Sequence, residues 1–210
     1  MTQRRRLLFA AVICAIAFLA LADAAEDAGD AHRIWGLDRS VQRFVQSEQG
    51  PTLGRFMEGA SLLGSGRLLV PFALLWTLLI WRRDPRWALF VPFAGGAALV
   101  LEGATKWSVA RPRPNLEGYG FPSGHVLASV VIFGAVVAYL WRQHRSRNWR
   151  WGATSVAVFL VIAVAYSRLY LNAHWLTDVL GSIVGGMAYL LFALTWLEAL
   201  GTPPQSQRSR

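Results

Sequence analysis

The run Val126-Leu-Ala-Ser-Val-Val-Ile-Phe-Gly-Ala-Val-Val-Ala-Tyr-Leu-Trp141 holds 16 residues without a charge. Pro122-Ser123-Gly124-His125 stands directly before it, and Arg142, Arg145, Arg147 and Arg150 follow it. Such a stretch reads as a helix through hydrocarbon, closed at one end by an indole and by cations that stay in water. Five more apolar segments share the pattern: Leu7–Ala22, Leu68–Trp81, Trp87–Thr105, Trp151–Tyr166 and Val179–Leu197. Several fall short of the roughly 20 residues a span needs, so their flanks contribute; the second is expected to begin near Leu62, with Arg67 snorkelling. The expected fold class is all-α, an integral membrane bundle of six transmembrane helices, with residues 1–210 as one membrane domain.

Composition agrees with that reading. Of 210 residues, 54% are hydrophobic and 16% charged, with a mean hydropathy of +0.36, whereas soluble domains carry about a quarter charged residues. A large soluble catalytic domain is excluded. The net charge of +9 comes from basic residues that interrupt apolar runs, which orients a membrane protein and implies no nucleic-acid partner. Cys14 is the one cysteine, so no internal disulfide or cysteine-rich metal site can form. Trp81, Trp87, Trp107, Trp141, Trp151, Trp175 and Trp196 fall at or near segment ends, where an amphipathic ring prefers the membrane interface.

The arginines give the orientation. Arg4–Arg6, Arg82, Arg83 and Arg86, the cluster from Arg142 to Arg150, and Arg208 and Arg210 all share one face if six spans alternate. The positive-inside rule makes that face cytoplasmic, and the opposite face carries residues 23–67, 106–125 and 167–178. In a chain whose arginine bias looks bacterial, the expected location is the inner membrane, with these loops periplasmic. Arg4–Arg6, Leu7–Leu21 and Ala22-Asp23-Ala24 also fit a cleavable signal peptide; the reading adopted is a retained first span. Within the outer segment 23–61, Val41, Phe44 and Val45, then Leu53, Phe56, Met57 and Ala60 after Gly50-Pro51, show helical spacing in two pieces. They suit either the outer leaflet or a cap on the bundle. In span six, Gly181 and Gly185 permit close helix approach.

Two outer loops concentrate the chemistry. The first holds Lys106, the chain's single lysine, with Arg111, Arg113, Ser123, Gly124 and His125; the second holds Arg168, His174 and Asp178. If a helix begins near Ala173, His174 and Asp178 are i,i+4 neighbours on one face. A carboxylate there can accept one imidazole N–H and leave the other nitrogen as a nucleophile, although such a pair at a helix start also serves as a plain cap. Four permanent cations on one membrane face repel one another unless an anion sits among them, and guanidinium forks suit phosphate oxygens.

Lys106-x6-Arg113-Pro114, Pro122-Ser123-Gly124-His125 and Ser167-Arg168-x5-His174-x3-Asp178 together resemble the three-part signature of the type 2 phosphatidic acid phosphatase superfamily. Order and internal spacing match throughout. The resemblance implies that Lys106, Arg113 and Arg168 hold phosphoryl oxygens, with Ser123 and the Gly124 amide as neutral donors. It implies that His174 attacks phosphorus to form a phosphohistidine, that Asp178 orients its ring, and that His125 protonates the leaving oxygen and then activates water. No metal and no other cofactor is implied, because side-chain cations supply the charge that magnesium supplies in kinases.

The function expected is hydrolysis of a lipid phosphate or diphosphate of the undecaprenyl diphosphate, phosphatidylglycerophosphate or phosphatidate class, entering laterally from the bilayer. A phosphotransferase sharing the phosphohistidine step is the nearest rival, and a lipid-phosphate carrier without turnover is a rival from another class. The superfamily's soluble vanadium haloperoxidases are disfavoured by the spans. Oligomeric state is open, a homo-oligomer included. Glu102, one turn before Lys106, is expected to support it as an ion pair. Arg111 is expected to reach a second phosphate, a head group or water; Tyr170, Asn172 and Glu117 to shape the pocket; His32 and His144 to be solvated.

Overall fold

The structure, a computed structural model, describes residues 3–26, 32–143 and 146–200, with side chains for all of these except 32–35. They form helices α1 (Gln3–Glu26), α2 (His32–Ser47), α3 (Pro51–Leu63), α4 (Gly66–Ile80), α5 (Pro85–Val109), α6 (Gly124–Arg142), α7 (Arg147–Tyr170) and α8 (Leu176–Leu200). No strand occurs among the described residues beyond one isolated bridge between Pro112 and Tyr119. Helices α1, α5, α6, α7 and α8 are long and apolar enough to cross a membrane, and the bent pair α3 and α4, counted as one broken span, brings the total from five to six. The chain is a multi-pass membrane protein.

Helix α6 is the centre of the bundle and packs against α5, α7 and α8. Its Leu127, Val131 and Tyr139 join Leu69 of α4, Val91 of α5 and Leu190 of α8 in the main buried cluster. Leu78, Phe93, Val100 and Phe159 point outward and stay exposed, as side chains facing lipid do. Helix α1 lies along α8: Phe18 sits where a β-carbon on Gly185 would be and stacks on Phe121 at a ring separation of 5.6 Å, while the Phe121 ring covers Gly181 in the same way. The two glycines therefore serve packing, as expected, because association within lipid depends on close contact.

Three features differ from the sequence reading. The second span does not start at Leu62 and run straight to Trp81. The chain breaks at Gly64-Ser65 with a bend of 41° between α3 and α4, in a Gly-Ser-Gly stretch of the kind at which helices kink, and the bare Gly64 lets α6 and α7 come so near that a β-carbon there would meet Val164 at 2.5 Å and the His125 carbonyl oxygen at 2.9 Å. The outer segment does fold as two helices split at Gly50-Pro51, and they cap the bundle rather than lie free: Val45 and Met57 bury against Tyr170. Trp87 is not interfacial but buried with Phe90 and Tyr139. The catalytic loops are shorter than 106–125 and 167–178, since α5 runs on through Lys106 to Val109 and α7 through Arg168 to Tyr170.

Candidate active site

Four helix ends meet at one end of the bundle, two of them bringing cations and two bringing free backbone N–H groups. Lys106 and Arg168 lie in the last turns of α5 and α7, where the negative pole of a helix favours cations. Ser123 stands immediately before α6 and His174 two residues before α8, so the free N–H groups of those helices face the same region. Placement on rigid ends fixes these groups better than a free loop would.

The first motif turns sharply. Ala110, left-handed at φ 48, ends α5, and a tight hairpin follows in which the Gly120 N–H donates to the Arg111 carbonyl at 2.7 Å and the Arg113 N–H to that of Gly118 at 3.2 Å. In extended chain, residues two apart share a face. Arg111 and Arg113 thus both turn inward around exposed Pro112, to different depths. Arg113 stops in the pocket, its Nε donating to the Tyr119 carbonyl at 2.9 Å. Arg111 goes further and is 2% exposed.

Lys106, Arg113, Gly124, His125, Arg168 and His174 line one cavity of about 450 Å³. Lys106 pairs with Glu102 at 2.5 Å, the supporting contact expected of that glutamate, and the Glu102 carboxylate lies against Gly124 at the start of α6. Arg168 donates from Nη1 to the Ser61 hydroxyl at 2.7 Å. The Arg168 Nε and the Ser123 hydroxyl are buried with no protein partner, a costly state for polar groups unless a ligand meets them. The same cavity continues past Gly66, Leu69, Ala73, Gly95, Leu99 and Ile132, an apolar cleft between α4 and α5.

His174 is 3% exposed, and its Nδ1 is 3.5 Å from the Asp178 Oδ2. Because α8 begins at Leu176 and not near Ala173, His174 sits in the preceding turn, with Asp178 in the first helical turn. Asp178 Oδ2 also accepts the Trp175 N–H at 2.9 Å, the carboxylate reaching back over the helix start as in a capping box. The cap reading and the histidine-partner reading describe one and the same side chain. Burial is the largest influence on His174 and pushes its pKa below the ordinary value; Asp178 opposes that, and the Arg168 and Arg113 charges add to the lowering. The neutral ring is therefore the form present at neutral pH.

Six of the motif residues, Lys106, Arg113, Gly124, His125, Arg168 and His174, line one cavity, Ser123 and Asp178 do not, and the secondary candidates lie elsewhere. Arg111 reaches neither water nor the pocket: it donates from Nη1 to Asp178 Oδ1 at 2.9 Å and from Nη2 to Asp38 Oδ2 at 2.6 Å. Tyr170 does not shape the pocket, since its hydroxyl accepts the Gly50 N–H at 2.9 Å under the α2–α3 cap; Asn172 accepts from Gln42 at 2.7 Å; and Glu117 pairs with Asn115 at the surface. His144 and the side chain of His32 lie outside the described residues. Sequence reasoning missed Asp38, Ser61, Thr177 and Ser182, whose hydroxyl accepts the Ser123 N–H at 2.6 Å. Asp38 did leave a trace: at helical spacing it shares a face with Val41 and Val45, and a carboxylate on an apolar stripe asks for a buried partner.

Residues 87–201 match the family model of the PAP2 superfamily, a stretch that contains all three motifs. The chain is 26% identical over 178 residues to an undecaprenyl-diphosphatase of Sulfolobus acidocaldarius, covering 79% of this chain and 81% of that protein. It is 26% identical over 167 residues to phosphatidylglycerophosphatase B of Bacillus subtilis, covering 75% and 80%. Among solved structures, the fold matches a transmembrane PAP2-type phosphatidylglycerolphosphate phosphatase from Bacillus subtilis with a TM-score of 0.82 at 22% identity, over 91% of this chain and 98% of that one. LpxE of Aquifex aeolicus matches with a TM-score of 0.62 at 19% identity, over 75% and 94%.

Proposed function

The chain belongs to the PAP2 superfamily and is a membrane-embedded lipid phosphate hydrolase, and we propose that it works through a phosphohistidine on His174 at the periplasmic face of the inner membrane. The observation that carries this reading is the single cavity that joins His174 and its cations to an apolar cleft between α4 and α5. A phosphate on a lipid has those two halves. Chains enter sideways between α4 and α5, and the head group meets Lys106, Arg113 and Arg168, with Ser123 and the Gly124 amide completing the cradle. As it docks, the phosphate competes with Glu102 for Lys106.

With Nδ1 turned to Asp178, Nε2 of His174 is left for phosphorus. It attacks in line; burial and the surrounding cations lower the His125 pKa to about 4, so His125 takes up its proton from the incoming phosphate and gives it to the departing oxygen as the P–O bond to the lipid breaks. His125 then takes a proton from water, the hydroxide oxygen bonds to phosphorus, the N–P bond breaks, and inorganic phosphate leaves with His174 neutral again. Preorganised cations stabilise the charge on the equatorial oxygens at both steps. Each carboxylate at the site is already paired with a cation, Glu102 with Lys106 and both Asp38 and Asp178 with Arg111, so none is left over as a metal cage.

The sidedness rests on charge. The described arginines at the end remote from the cavity, Arg4–Arg6, Arg82, Arg83, Arg86, Arg142 and Arg147, are exposed, which by the positive-inside rule faces the cytoplasm. The test of function is phosphate release in detergent from undecaprenyl diphosphate, phosphatidylglycerophosphate and phosphatidate, with EDTA and without an acceptor lipid. Release from at least one of them under these conditions is expected. No release until an acceptor is added would make it a phosphotransferase, and turnover lost to EDTA and restored by a divalent metal would overturn the cation mechanism. For the sidedness, single cysteines at Ser146 and Leu116 in a Cys14→Ser background should label with an impermeant thiol reagent on intact cells only at 116.

A further inference from the structure

Asp38, from the capping helix α2, is 1% exposed, and its side chain makes two contacts at the start of α8 and one to Arg111 beyond the end of α5. It accepts the Thr177 N–H at 3.0 Å, the Thr177 hydroxyl at 2.7 Å and Arg111 Nη2 at 2.6 Å. The first of these satisfies one of the free donors that every helix start carries, so α2 supplies α8 with a second cap beside the one Asp178 makes to the Trp175 N–H. Arg111 then bridges to Asp178 Oδ1 while also donating to the Thr177 hydroxyl. Two buried carboxylates share one buried guanidinium, and the remaining negative charge rests on the positive end of α8.

We propose that Asp38 and Arg111 are a positioning pair for the hydrolysis, holding Asp178 so that its second oxygen faces His174. The proposal rests on His174 being the nucleophile. Asp178 Oδ1 accepts from Arg111 and Oδ2 from the Trp175 N–H, and in that orientation Oδ2 stands 3.5 Å from His174 Nδ1, a buried nitrogen with no other partner. Neither Asp38 nor Arg111 lines the phosphate cavity. Their loss should therefore act on the chemical step and spare substrate binding.

The pair also sets how much negative charge His174 feels. His174 is faced by Asp178, with Arg111 and Asp38 behind it, and from the pocket side by Arg113, Arg168 and His125. Replacing Arg111 by a neutral group frees Asp178 to draw a proton onto the ring. Neutralising Asp38 leaves Arg111 to lean wholly on Asp178 and weakens that pull. The two changes should shift the acid limb of the pH–rate profile in opposite directions, a response that loss of mere packing does not give.

The experiment compares Arg111→Lys, Arg111→Gln, Asp38→Asn and His174→Ala, all full-length in detergent. Arg111→Lys conserves charge but cannot span two carboxylates with one ammonium, so kcat should fall about tenfold or more while KM and vanadate affinity stay within about threefold. The acid limb should rise in Arg111→Gln and drop in Asp38→Asn. If either neutral variant does not accumulate as folded protein, Arg111→Lys decides alone. Wild-type kcat in Arg111→Lys beside an inactive His174→Ala, or limbs that move together, would overturn the pair and leave the nucleophile in place. Turnover by His174→Ala would overturn the nucleophile and the pair with it.

Discussion

The two ends of this bundle carry the same residue type to opposite purposes. At one end Arg82, Arg83, Arg86 and Arg142 stand exposed in water, each free to be screened and worth little in any single contact. At the other, Arg111 is fully buried between two carboxylates, and Arg168 is held by Ser61 with its Nε unpartnered inside the cavity. A guanidinium in water orients the chain; one removed from water fixes the position of whatever it touches. The sequence distributes arginine to both ends, and only burial separates the roles.

Predictions that break or sharpen this contrast run from the largest effect downward. His174→Ala should lose about 10⁴-fold or more in kcat, as removal of a nucleophile does elsewhere, while still binding vanadate. His125→Ala should retain formation of an acid-labile phosphoenzyme from p-nitrophenyl phosphate, whose leaving group needs no proton; label in His174→Ala would place the nucleophile elsewhere. Arg113→Lys and Arg168→Lys keep charge but lose the fork, and each should cost on the order of 10²-fold in kcat/KM. Variants within twofold of the wild type would show that these cations do not grip phosphate.

Smaller effects probe the packing around the same groups. A β-carbon on Gly120 would stand 2.5 Å from Asp178 Oδ2, whereas one on Gly103 would meet nothing within 4 Å. Gly120→Ala should thus displace the carboxylate and cut kcat about tenfold, and Gly103→Ala should leave kcat unchanged and stabilise α5 slightly, by up to about 1 kcal/mol. Equal kinetics in the two would mean that Asp178 has room to shift without consequence. Smallest of all, Arg82→Gln with Arg83→Gln should keep kcat/KM within about twofold, since exposed charges far from the site act through neither contact nor field.

Much of the site was legible because membrane sequence is coarse and motif chemistry is local. Six apolar segments could be read from hydropathy alone, since a bilayer leaves backbone few options other than helix, and the break at Gly50-Pro51 followed from turn chemistry. The motif residues stood out because Lys106, Arg113, His125, Arg168, His174 and Asp178 place charge beside apolar runs. The bend at Gly64 could not be read. Gly64-Ser65-Gly66 permits a kink, but a straight helix satisfies the local sequence equally, and the neighbours that crowd Gly64, Val164 and His125, lie on other helices.

By itself, then, the sequence determined the class of fold, the clustering of arginines between the apolar segments and the three motifs, for their signals lie within a few residues of one another. Only the tertiary structure decided what Arg111 is for. Its partner Asp38 is 73 residues away, and the Thr177 amide that Asp38 caps is 139 residues from it, separations at which periodicity and spacing carry no information. Charge identity is written in the chain, but whether a charge is solvated or buried, and against which counter-charge, is settled when helices from distant segments close around it.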